Sequence, residues 1–247
     1  MKIILVGCGF LGNTAADLFL TRGHHVHAIC KTPAEAAVLH EQKNGLENFS
    51  VEAWDVTGGR SQESGSKTAL CAIRGQNFIP DALVFCTSTR GGDAAAYRAL
   101  YHDAFECLIG ELRPKQTVFV SSASVYGQKN GEWVDETSET VPAAETARVL
   151  LEAETLATTV LRLVGLHGRD ALQQQKQTEV SERWVNRIHR DDAATAIVHA
   201  VENDLRGIYN VCDGMPILME VPCSKRGDTN KRVSNAKLQA TGWKPAK

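Results

Sequence analysis

The sequence predicts an α/β fold built on a doubly wound parallel sheet. Short runs of β-branched residues alternate with segments of helical spacing along most of the chain, and the first run leads directly into a glycine-rich turn. Such alternation is typical of βαβ units, in which a crossover helix brings the chain back to begin a parallel strand. The 247 residues suit one domain of this kind, or one domain with a small appendage.

The first half of the chain supplies four predicted strands, each short and bounded by turn-forming residues. They span Ile3–Val6, Val26–Cys30, Val51–Val56 and Leu83–Thr87. Apolar residues three or four apart predict helices over Asn13–Thr21 and Pro33–His40, and Gly23 ends the first of these. Gly and Ser are frequent in Thr57–Lys67, which predicts a loop, and a short helix follows over Ala69–Arg74.

The second half adds two long predicted helices, Asp93–Leu112 and Ala143–Ala157. The first has apolar residues four apart, the spacing of an amphipathic helix, at Ala96, Leu100, Ala104 and Leu108. The remaining elements are strands at Thr117–Val120, Val160–Val164 and Ile208–Val211 and a helix at Ala193–Val201. The polar stretch Pro222–Asn230 predicts a loop, and the basic pairs Lys225-Arg226 and Lys231-Arg232 are interpreted as solvated surface.

Composition and charge restrict the class of protein. With 43% hydrophobic and 23% charged residues, the chain has the balance of a soluble globular protein. The formal net charge of −2 predicts no basic surface for nucleic acid or an anionic membrane. No apolar stretch approaches the roughly 18 residues of a membrane span, so we expect a cytoplasmic protein without a membrane partner.

The seven cysteines are odd in number and scattered, without the spacing of a metal site. Several lie in apolar runs, where cysteine behaves as a small hydrophobic residue. We therefore interpret them as reduced core thiols: Cys8, Cys30, Cys71, Cys86, Cys107, Cys212 and Cys223.

A Gly-x-Gly-x-x-Gly motif follows the first strand and opens the first helix, a context typical of a Rossmann-type dinucleotide-binding fold. Gly7 permits the tight turn, Gly9 lets the backbone approach a pyrophosphate, and Gly12 lets the helix pack closely. The helix N-terminus adds unpaired N–H groups and the positive end of the helix dipole. The motif predicts a cofactor site formed by Gly7, Cys8, Gly9, Phe10, Leu11 and Gly12. A glycine turn without a ligand is the alternative.

The end of the second strand distinguishes NADP from NAD. A free ribose 2′-hydroxyl is normally held by Asp or Glu about 20 residues after the glycines, whereas a 2′-phosphate requires a cation. Here Lys31 and Thr32 occupy the strand end, and no acid precedes Glu35. An ammonium attracts a phosphate, so NADP is the preferred cofactor and NAD the alternative, since a lysine at a strand end is also a common solvent-exposed residue.

Later segments resemble the NAD-dependent epimerase/dehydratase family, the extended short-chain dehydrogenase/reductases. The segments that match occur in the family's order over nearly the whole chain. They are Val118-Phe119-Val120-Ser121-Ser122-Ala123-Ser124-Val125-Tyr126-Gly127, Trp54-Asp55-Val56, Asp135-Glu136, Arg162-Leu163-Val164-Gly165-Leu166-His167-Gly168, Val185-Asn186-Arg187-Ile188-His189-Arg190-Asp191-Asp192 and Gly242-Trp243-Lys244-Pro245.

The resemblance implies roles for particular residues. Asp55 and Val56 would flank the adenine, and Thr87 and Ser88 would lie along the cofactor. Ser122 matches the family's catalytic Ser/Thr, whose hydroxyl bonds the reacting substrate oxygen. The alternative is that Ser122 only caps the end of its strand by bonding local backbone groups.

The chain departs from the family at the Tyr-x-x-x-Lys pair. With Glu154 as the anchor, Thr146 takes the place of the tyrosine and Leu150 that of the lysine. A threonine hydroxyl is a far weaker acid than a phenol, and leucine carries no charge. The sequence therefore resembles atypical family members. The substitute acids near the expected cleft are Tyr126, His167, Arg148 and Glu145, whereas His189, Asp191 and Asp192 are interpreted as structural.

These observations predict residues 1–165 as a nucleotide-binding domain and residues 166–247 as a segment that completes the sheet and forms a reduced substrate lobe. The predicted function is hydride transfer on a small or sugar-derived carbonyl or hydroxyl substrate. The alternative is a catalytically inactive, NADP-binding redox-sensing or regulatory protein. The resemblance further implies a homodimer through helices 93–112 and 143–157.

Overall fold

The computed structural model describes residues 1–58, 79–89, 91–168, 180–222 and 229–247. The strands in these ranges are β1 (Lys2–Val6), β2 (His25–Cys30), β3 (Phe49–Ala53), β4 (Ala82–Phe85), β5 (Gln116–Ser122), β6 (Glu132–Val134), β7 (Thr159–Leu163), β8 (Gly165–His167), β9 (Val180–Val185), β10 (Arg187–His189), β11 (Gly207–Val211), β12 (Ile217–Pro222) and β13 (Lys231–Val233). Seven of them form one parallel sheet in the order β11-β7-β5-β4-β1-β2-β3. This is the predicted doubly wound arrangement.

Helices join these strands. They are α1 (Phe10–Thr21), α2 (Pro33–Gln42), α3, α4 (Glu145–Glu154), α5 (Arg190–Glu202) and α6 (Ala236–Ala240). Helix α3 is continuous but changes its winding, since Ala94–Tyr97 and Phe105–Leu112 are α-helical and Arg98–Ala104 between them is π-helical. Within the described ranges no helix combines the length and apolarity needed to cross a bilayer.

Alternation along the strands divides the core into two layers. In β1, Ile3 and Leu5 pack with the apolar faces of α1 and α5, whereas Ile4 and Val6 point to the other side, where α3 and α4 lie. Successive side chains of a strand point to opposite faces, so a strand covered on both sides must be apolar throughout. All four of these residues are at most 2% exposed.

The structure confirms the predicted strands and long helices to within a few residues and corrects three points. Helix α4 is shorter than Ala143–Ala157, because Ala144 is extended and the Thr155 hydroxyl bonds the Glu152 carbonyl in the last turn. The short strand pairs β6/β13, β8/β10 and β9/β12 were not predicted, because strands this short carry little periodicity. Lys231 is buried rather than solvated, while Arg232 is half-buried.

Other predictions fall partly outside the described residues. These are the loop Thr57–Lys67 beyond residue 58, the helix Ala69–Arg74 and the pair Lys225-Arg226. Five cysteines are described, and all five are free thiols. Cys30 and Cys212 are buried as predicted, and Cys8, Cys86 and Cys107 are half-buried. Cys71 and Cys223 lie outside the described ranges.

Candidate functional site

The strand order of the sheet reverses between β1 and β4. From β1 the chain proceeds outward to β2 and β3, whereas β4 starts the series that continues in the opposite direction. In open parallel sheets ligands bind at the carboxyl ends of the strands at such a point. The segments that leave this edge are the glycine turn after β1 and residues 86–88 after β4.

The space around Gly7, Gly9 and Gly12 shows whether the glycine turn can accept a dinucleotide. A Cβ on Gly7, whose φ is +92°, would lie 2.5 Å from the Cys86 carbonyl oxygen, and a Cβ on Gly12 would overlap the Gly7 carbonyl oxygen. Around Gly9 no heavy atom lies within 4 Å of such a Cβ. The protein's own packing therefore requires Gly7 and Gly12, while the open side of the turn at Gly9 is available to a pyrophosphate.

The start of α1 supports the same conclusion. Gly9 is the N-cap and makes no side-chain cap hydrogen bond, so no capping side chain competes with a ligand for the backbone N–H groups of the first turn. Such groups, with the positive end of the helix dipole, bind phosphate oxygens. Phe10 and Leu11 belong to this turn of helix, and the guanidinium of Arg190 stacks on the Phe10 ring at 5.1 Å. The turn fits a dinucleotide.

Charged side chains meet at the ends of β2 and β3. Lys31 follows β2 with 68% of its side chain exposed, and its Nζ lies 3.4 Å from Oδ2 of Asp55, which follows β3. Burial raises the pKa of Asp55, but hydrogen bonds from Thr57 and the charge of Lys31 lower it by more, so the carboxylate is stabilised. Thr32 caps α2 by accepting a bond from the Glu35 N–H at 3.2 Å.

Residues at the end of β4 line the other side of the glycine turn. The Thr87 hydroxyl is buried and has no hydrogen-bond partner among the described residues. The Tyr101 hydroxyl donates to the Thr87 carbonyl oxygen at 3.3 Å, which connects the π-helical part of α3 to this edge. Ser88 is exposed beside Thr87, and Val56 begins a short 3₁₀ turn after Asp55. An unsatisfied buried hydroxyl is costly, so Thr87 is suited to bond a ligand here.

Ser122 ends β5, and the register places it opposite Leu163 of β7. Its half-buried hydroxyl accepts a hydrogen bond from the Ser124 N–H at 3.1 Å and caps the 3₁₀ turn Ala123–Val125. The local capping role is therefore present. It occupies only the oxygen, and among the described residues the hydroxyl proton has no acceptor, so Ser122 can cap the turn and donate to a substrate oxygen together.

Tyr126 belongs to a buried polar network rather than to the open edge. Its side chain is 0% exposed, and its hydroxyl donates to Asn210 Oδ1 and accepts from Arg162 Nη1, each at 2.9 Å. Arg162 also pairs with Glu154 through Nη2 at 2.6 Å, and Glu154 accepts from the Ser121 hydroxyl at 2.6 Å. Burial is the main factor that raises the pKa of Tyr126. This placement weighs against the predicted catalytic role of Tyr126.

The positions of the missing pair carry no acid. Thr146 is half-buried in the first turn of α4, and Leu150 is 5% exposed and packs in the core with Tyr126. Two of the substitute acids, Arg148 and Glu145, pair with each other at 2.6 Å on the surface of α4. The chain therefore has no charged group at the position of the family lysine.

Two histidines lie at the ends of β8 and β10, which run parallel in register. His167 is exposed, and its ring centroid lies 5.3 Å from that of His189. His189 caps α5 by accepting the Asp191 N–H at 3.2 Å, and Asp192 accepts backbone N–H bonds from Ala246 and Lys247. The structural interpretation of His189 and Asp192 agrees with these contacts, which leaves His167 as the exposed imidazole.

Sequence reasoning missed Lys231 as an interior residue. It is 7% exposed, its Nζ donates to the Tyr126 carbonyl oxygen at 2.6 Å, and burial lowers its pKa to about 8. The only sequence signal was its spacing of two from the apolar Val233, which a three-residue strand makes too weak to use. Through this hydrogen bond the Lys231 ammonium contacts the backbone of the segment that follows Ser122.

Comparison with known proteins gives the family. The sequence profile described as NAD(P)H-binding matches residues 7–204. The chain belongs to this NAD(P)H-binding family. The predicted relationship to the epimerase/dehydratases and the Rossmann-type fold are confirmed, and the cofactor is a nicotinamide dinucleotide. No curated protein matches the sequence significantly.

Solved structures of similar fold span almost the whole chain. A protein from Methylobacillus flagellatus, provisionally named an NAD-dependent epimerase/dehydratase, is 26% identical with a TM-score of 0.69, over 98% of this chain and 92% of that one. The UDP-N-acetylglucosamine 4-epimerase of Methanobrevibacter ruminantium is 15% identical with a TM-score of 0.79, over 99% and 93%. Yeast methylglyoxal/isovaleraldehyde reductase, complexed with NADPH, is 14% identical with a TM-score of 0.76, over 100% and 94%. The last two show the fold alone.

Proposed function

We propose that this NAD(P)H-binding protein is an NADP-dependent oxidoreductase or epimerase-like enzyme acting on a small or sugar-derived carbonyl or hydroxyl group. The observation that carries this proposal is Ser122, a half-buried hydroxyl at the carboxyl end of β5 whose proton has no acceptor among the described residues. When bound, the nicotinamide supplies or accepts the hydride. The protein's own residues hold the substrate oxygen and exchange a proton with it.

The charges at the end of β2 support NADP over NAD. Lys31 is exposed and stands where an NAD-binding protein normally has an acid. The Glu35 carboxylate is engaged by the Thr32 backbone N–H at 3.3 Å in a capping box, so it closes the start of α2. Asp55 lies beside Lys31 and moderates its charge without replacing it. A 2′-phosphate would find a cation here.

Cofactor preference is tested by titration of NADPH and NADH. We expect tighter binding of NADPH by the native protein and a reversed order in Lys31→Asp, because the carboxylate repels a 2′-phosphate and accepts from a free 2′-hydroxyl. Lys129→Asp, an exposed site after β5, is the control with the same charge change and should keep the native order. A native preference for NADH would refute this part of the proposal.

Proton exchange is assigned to His167. The strands β5 and β7 are neighbours with Ser122 opposite Leu163, and β8 begins two residues after Leu163 and ends on His167. Its imidazole is exposed, whereas Tyr126 is buried and Arg148 is paired on the surface of α4. Imidazole exchanges protons near neutral pH, as general acid–base catalysis requires. In this proposal the Ser122 hydroxyl donates a hydrogen bond to the substrate oxygen. The His167 imidazole gives a proton to that oxygen or takes one from it.

Turnover over a panel of small carbonyl compounds tests these roles. Ser122→Ala should lower turnover roughly a hundredfold, as loss of an oxyanion donor does, and His167→Gln should lower it by a similar factor and change the pH profile. The dissociation constant of NADPH should stay within about twofold in both variants. His40→Gln, an exposed site on α2, is the control. Undiminished turnover in Ser122→Ala would refute the assignment.

The second candidate function is a cofactor-binding protein without catalysis. It is favoured by Thr146 and Leu150, which stand at the positions of the family's acid and activating cation and can replace neither. The burial of Tyr126 in the polar network also removes one of the substitute acids. Such a protein would bind NADPH with the same affinity and turn over no member of the panel. The turnover measurement on the native protein therefore separates the two candidates.

A further inference from the structure

The side chain of Arg232 is held by three contacts outside the central sheet. Arg232 is the middle residue of β13, which pairs in parallel with β6 and places Arg232 beside Trp133. Its guanidinium carbon lies 5.1 Å from the centre of the Trp133 ring and 4.9 Å from that of Trp184 on β9. Its Nε donates to the Gly131 carbonyl oxygen at 2.8 Å. Aromatic rings attract a cation over their faces, so the rings and the hydrogen bond together hold the guanidinium in place.

The backbone around Arg232 brings these groups together. Gly131 has a φ of +79°, and a Cβ there would lie 3.0 Å from Trp184 Nε1, so a side chain at this position would crowd the indole. The Gly131 N–H donates to the Asn230 carbonyl oxygen at 2.9 Å, and Asn230 Oδ1 accepts the Trp184 backbone N–H at 2.9 Å. Three segments that are distant in the sequence therefore meet at the guanidinium.

The hydrogen-bond donors of this cluster are not used within the described part of the protein. The Nη nitrogens of Arg232 and the Nε1–H of Trp184 donate to no described residue. Several other arginines in the described ranges pair with a carboxylate, whereas Arg232 pairs with no described acid. The adjacent Glu132 accepts instead from the backbone and side-chain amides of Asn130, at 2.9 and 3.1 Å. A fixed cation with unused donors is therefore available to an anion.

Exposed apolar side chains lie next to these donors. The Trp133 side chain that contacts Arg232 belongs to a residue that is 51% exposed. Leu218 stands directly opposite Trp184 in the antiparallel pair β9/β12 and is 44% exposed. Side chains directly opposite each other in such a pair lie on the same face. An anion bonded to Arg232 would therefore have indole and leucine surface beside it for an apolar part.

The shape and charge of the cluster favour a carboxylate over a phosphate. The N–H fork of a guanidinium forms parallel hydrogen bonds with a planar carboxylate. Glu182 and Glu220 are exposed and stand directly opposite each other in β9 and β12. Glu182 precedes Trp184 by two residues, so the two side chains lie on the same face of the strand. The negative charges of these glutamates repel a doubly charged phosphate more than a singly charged carboxylate.

We propose that Arg232, together with Trp133 and Trp184, forms a binding site for a carboxylate attached to an apolar group. The Nη groups of Arg232 bond the carboxylate oxygens, Trp184 Nε1–H is a further donor beside them, and the apolar group lies on Trp133 and Leu218. Ligands of this class are small monocarboxylic acids with an aliphatic or aromatic chain. The inference goes beyond the proposed function, since it uses none of the residues assigned to the cofactor or to proton exchange.

The test is an NMR titration of the isotope-labelled full chain with benzoate, followed through the tryptophan indole N–H resonances, of which Trp184→Phe identifies that of Trp184. We expect this resonance to shift with a dissociation constant on the order of 1 mM or tighter, and the constant should rise with salt concentration. Benzamide has the same ring and no charge, and it should bind at least roughly tenfold more weakly. Phenyl phosphate should bind more weakly than benzoate, because Glu182 and Glu220 repel it.

Variants of Arg232 separate its charge from its shape. Arg232→Gln removes both the charge and the fork, and should weaken benzoate binding at least roughly tenfold. Arg232→Lys keeps the charge without the fork, and should weaken binding by a smaller factor. The matched control is Arg113→Gln, since Arg113 is an exposed arginine that also pairs with no described acid. Its dissociation constant for benzoate should stay within about twofold of the native value.

A Trp184 resonance that benzoate leaves unmoved would overturn the proposal. Equal affinity of the native protein for benzoate and benzamide would overturn it as well, and so would equal affinity of the native protein and Arg232→Gln for benzoate. Tighter binding of phenyl phosphate than of benzoate would overturn the choice of a carboxylate. The comparisons on the native protein need no variant, so they decide the matter even if Arg232→Gln does not fold. The titrations contain no cofactor or carbonyl substrate, so their result is independent of the proposed reaction.

Discussion

Lys231 lies in β13 with its ammonium in the protein interior. The residue is 7% exposed, its Nζ donates to the Tyr126 carbonyl oxygen at 2.6 Å, and it forms no ion pair with any described residue. Burial lowers its pKa from 10.5 to about 8. At pH values below about 8 the folded protein therefore carries a buried cation. We expect replacement of Lys231 by methionine, whose side chain has a similar shape and no charge, to remove the free-energy cost of burying that charge.

The magnitude follows from the two pKa values. Their difference corresponds to about 3 kcal/mol of destabilisation at neutral pH, at 1.36 kcal/mol for each pKa unit. The folded state releases this proton near pH 8 and the unfolded state near pH 10.5, so between them the unfolded state holds one proton more. Stability therefore rises with pH in this window. Lys231→Met also loses the bond to Tyr126, worth about 1 kcal/mol, and should be more stable by about 2 kcal/mol at neutral pH.

The measurement is urea unfolding of the native protein, Lys231→Met and Lys244→Met over about pH 7 to 10. Lys244 is an exposed lysine, so its variant controls for the loss of one charge. The stability difference between the native protein and Lys231→Met should shrink and then change sign across the range, by about 2.5 kcal/mol in total. A difference that does not vary with pH would refute the assignment of a buried, titrating amine.

Three further predictions concern the core, the missing pair and assembly. Glu154→Gln should destabilise the protein by about 3 to 5 kcal/mol, because it leaves the Arg162 charge buried without its partner. The control is Glu152→Gln, which affects the exposed pair with Arg98 and should cost less than about 1 kcal/mol in the same unfolding assay. Restoring the family pair with Thr146→Tyr and Leu150→Lys should lower the melting temperature and should not raise turnover to a high level. The reason is that Leu150 is 5% exposed, so a lysine there would bury a charge. A large gain in turnover would contradict this prediction. We propose a homodimer through α3 and α4, the helices predicted over 93–112 and 143–157, and light scattering at micromolar concentration that gives the mass of one chain would refute it.

The sequence alone determined the central sheet and the glycine turn, because both depend on local patterns. Strands buried on two faces must be short apolar runs, as Ile3–Val6 and Leu83–Phe85 are. The glycine turn is encoded in six consecutive residues, since Gly7 and Gly12 are required by atoms of the turn and the next strand. Lys31 was found in the same way, because it directly follows the predicted strand Val26–Cys30, whereas Ser122 was assigned through the family resemblance.

Only the tertiary structure decided which polar residues are interior. Tyr126 is 36 residues from Arg162 in the sequence, and Glu154 lies on a helix 8 residues before Arg162. Each is tolerated in the core because the network completes its hydrogen bonds. Lys231 is buried by a strand of three residues, too short to show alternation. Such pairings join residues through space, and no period or spacing along the chain encodes them.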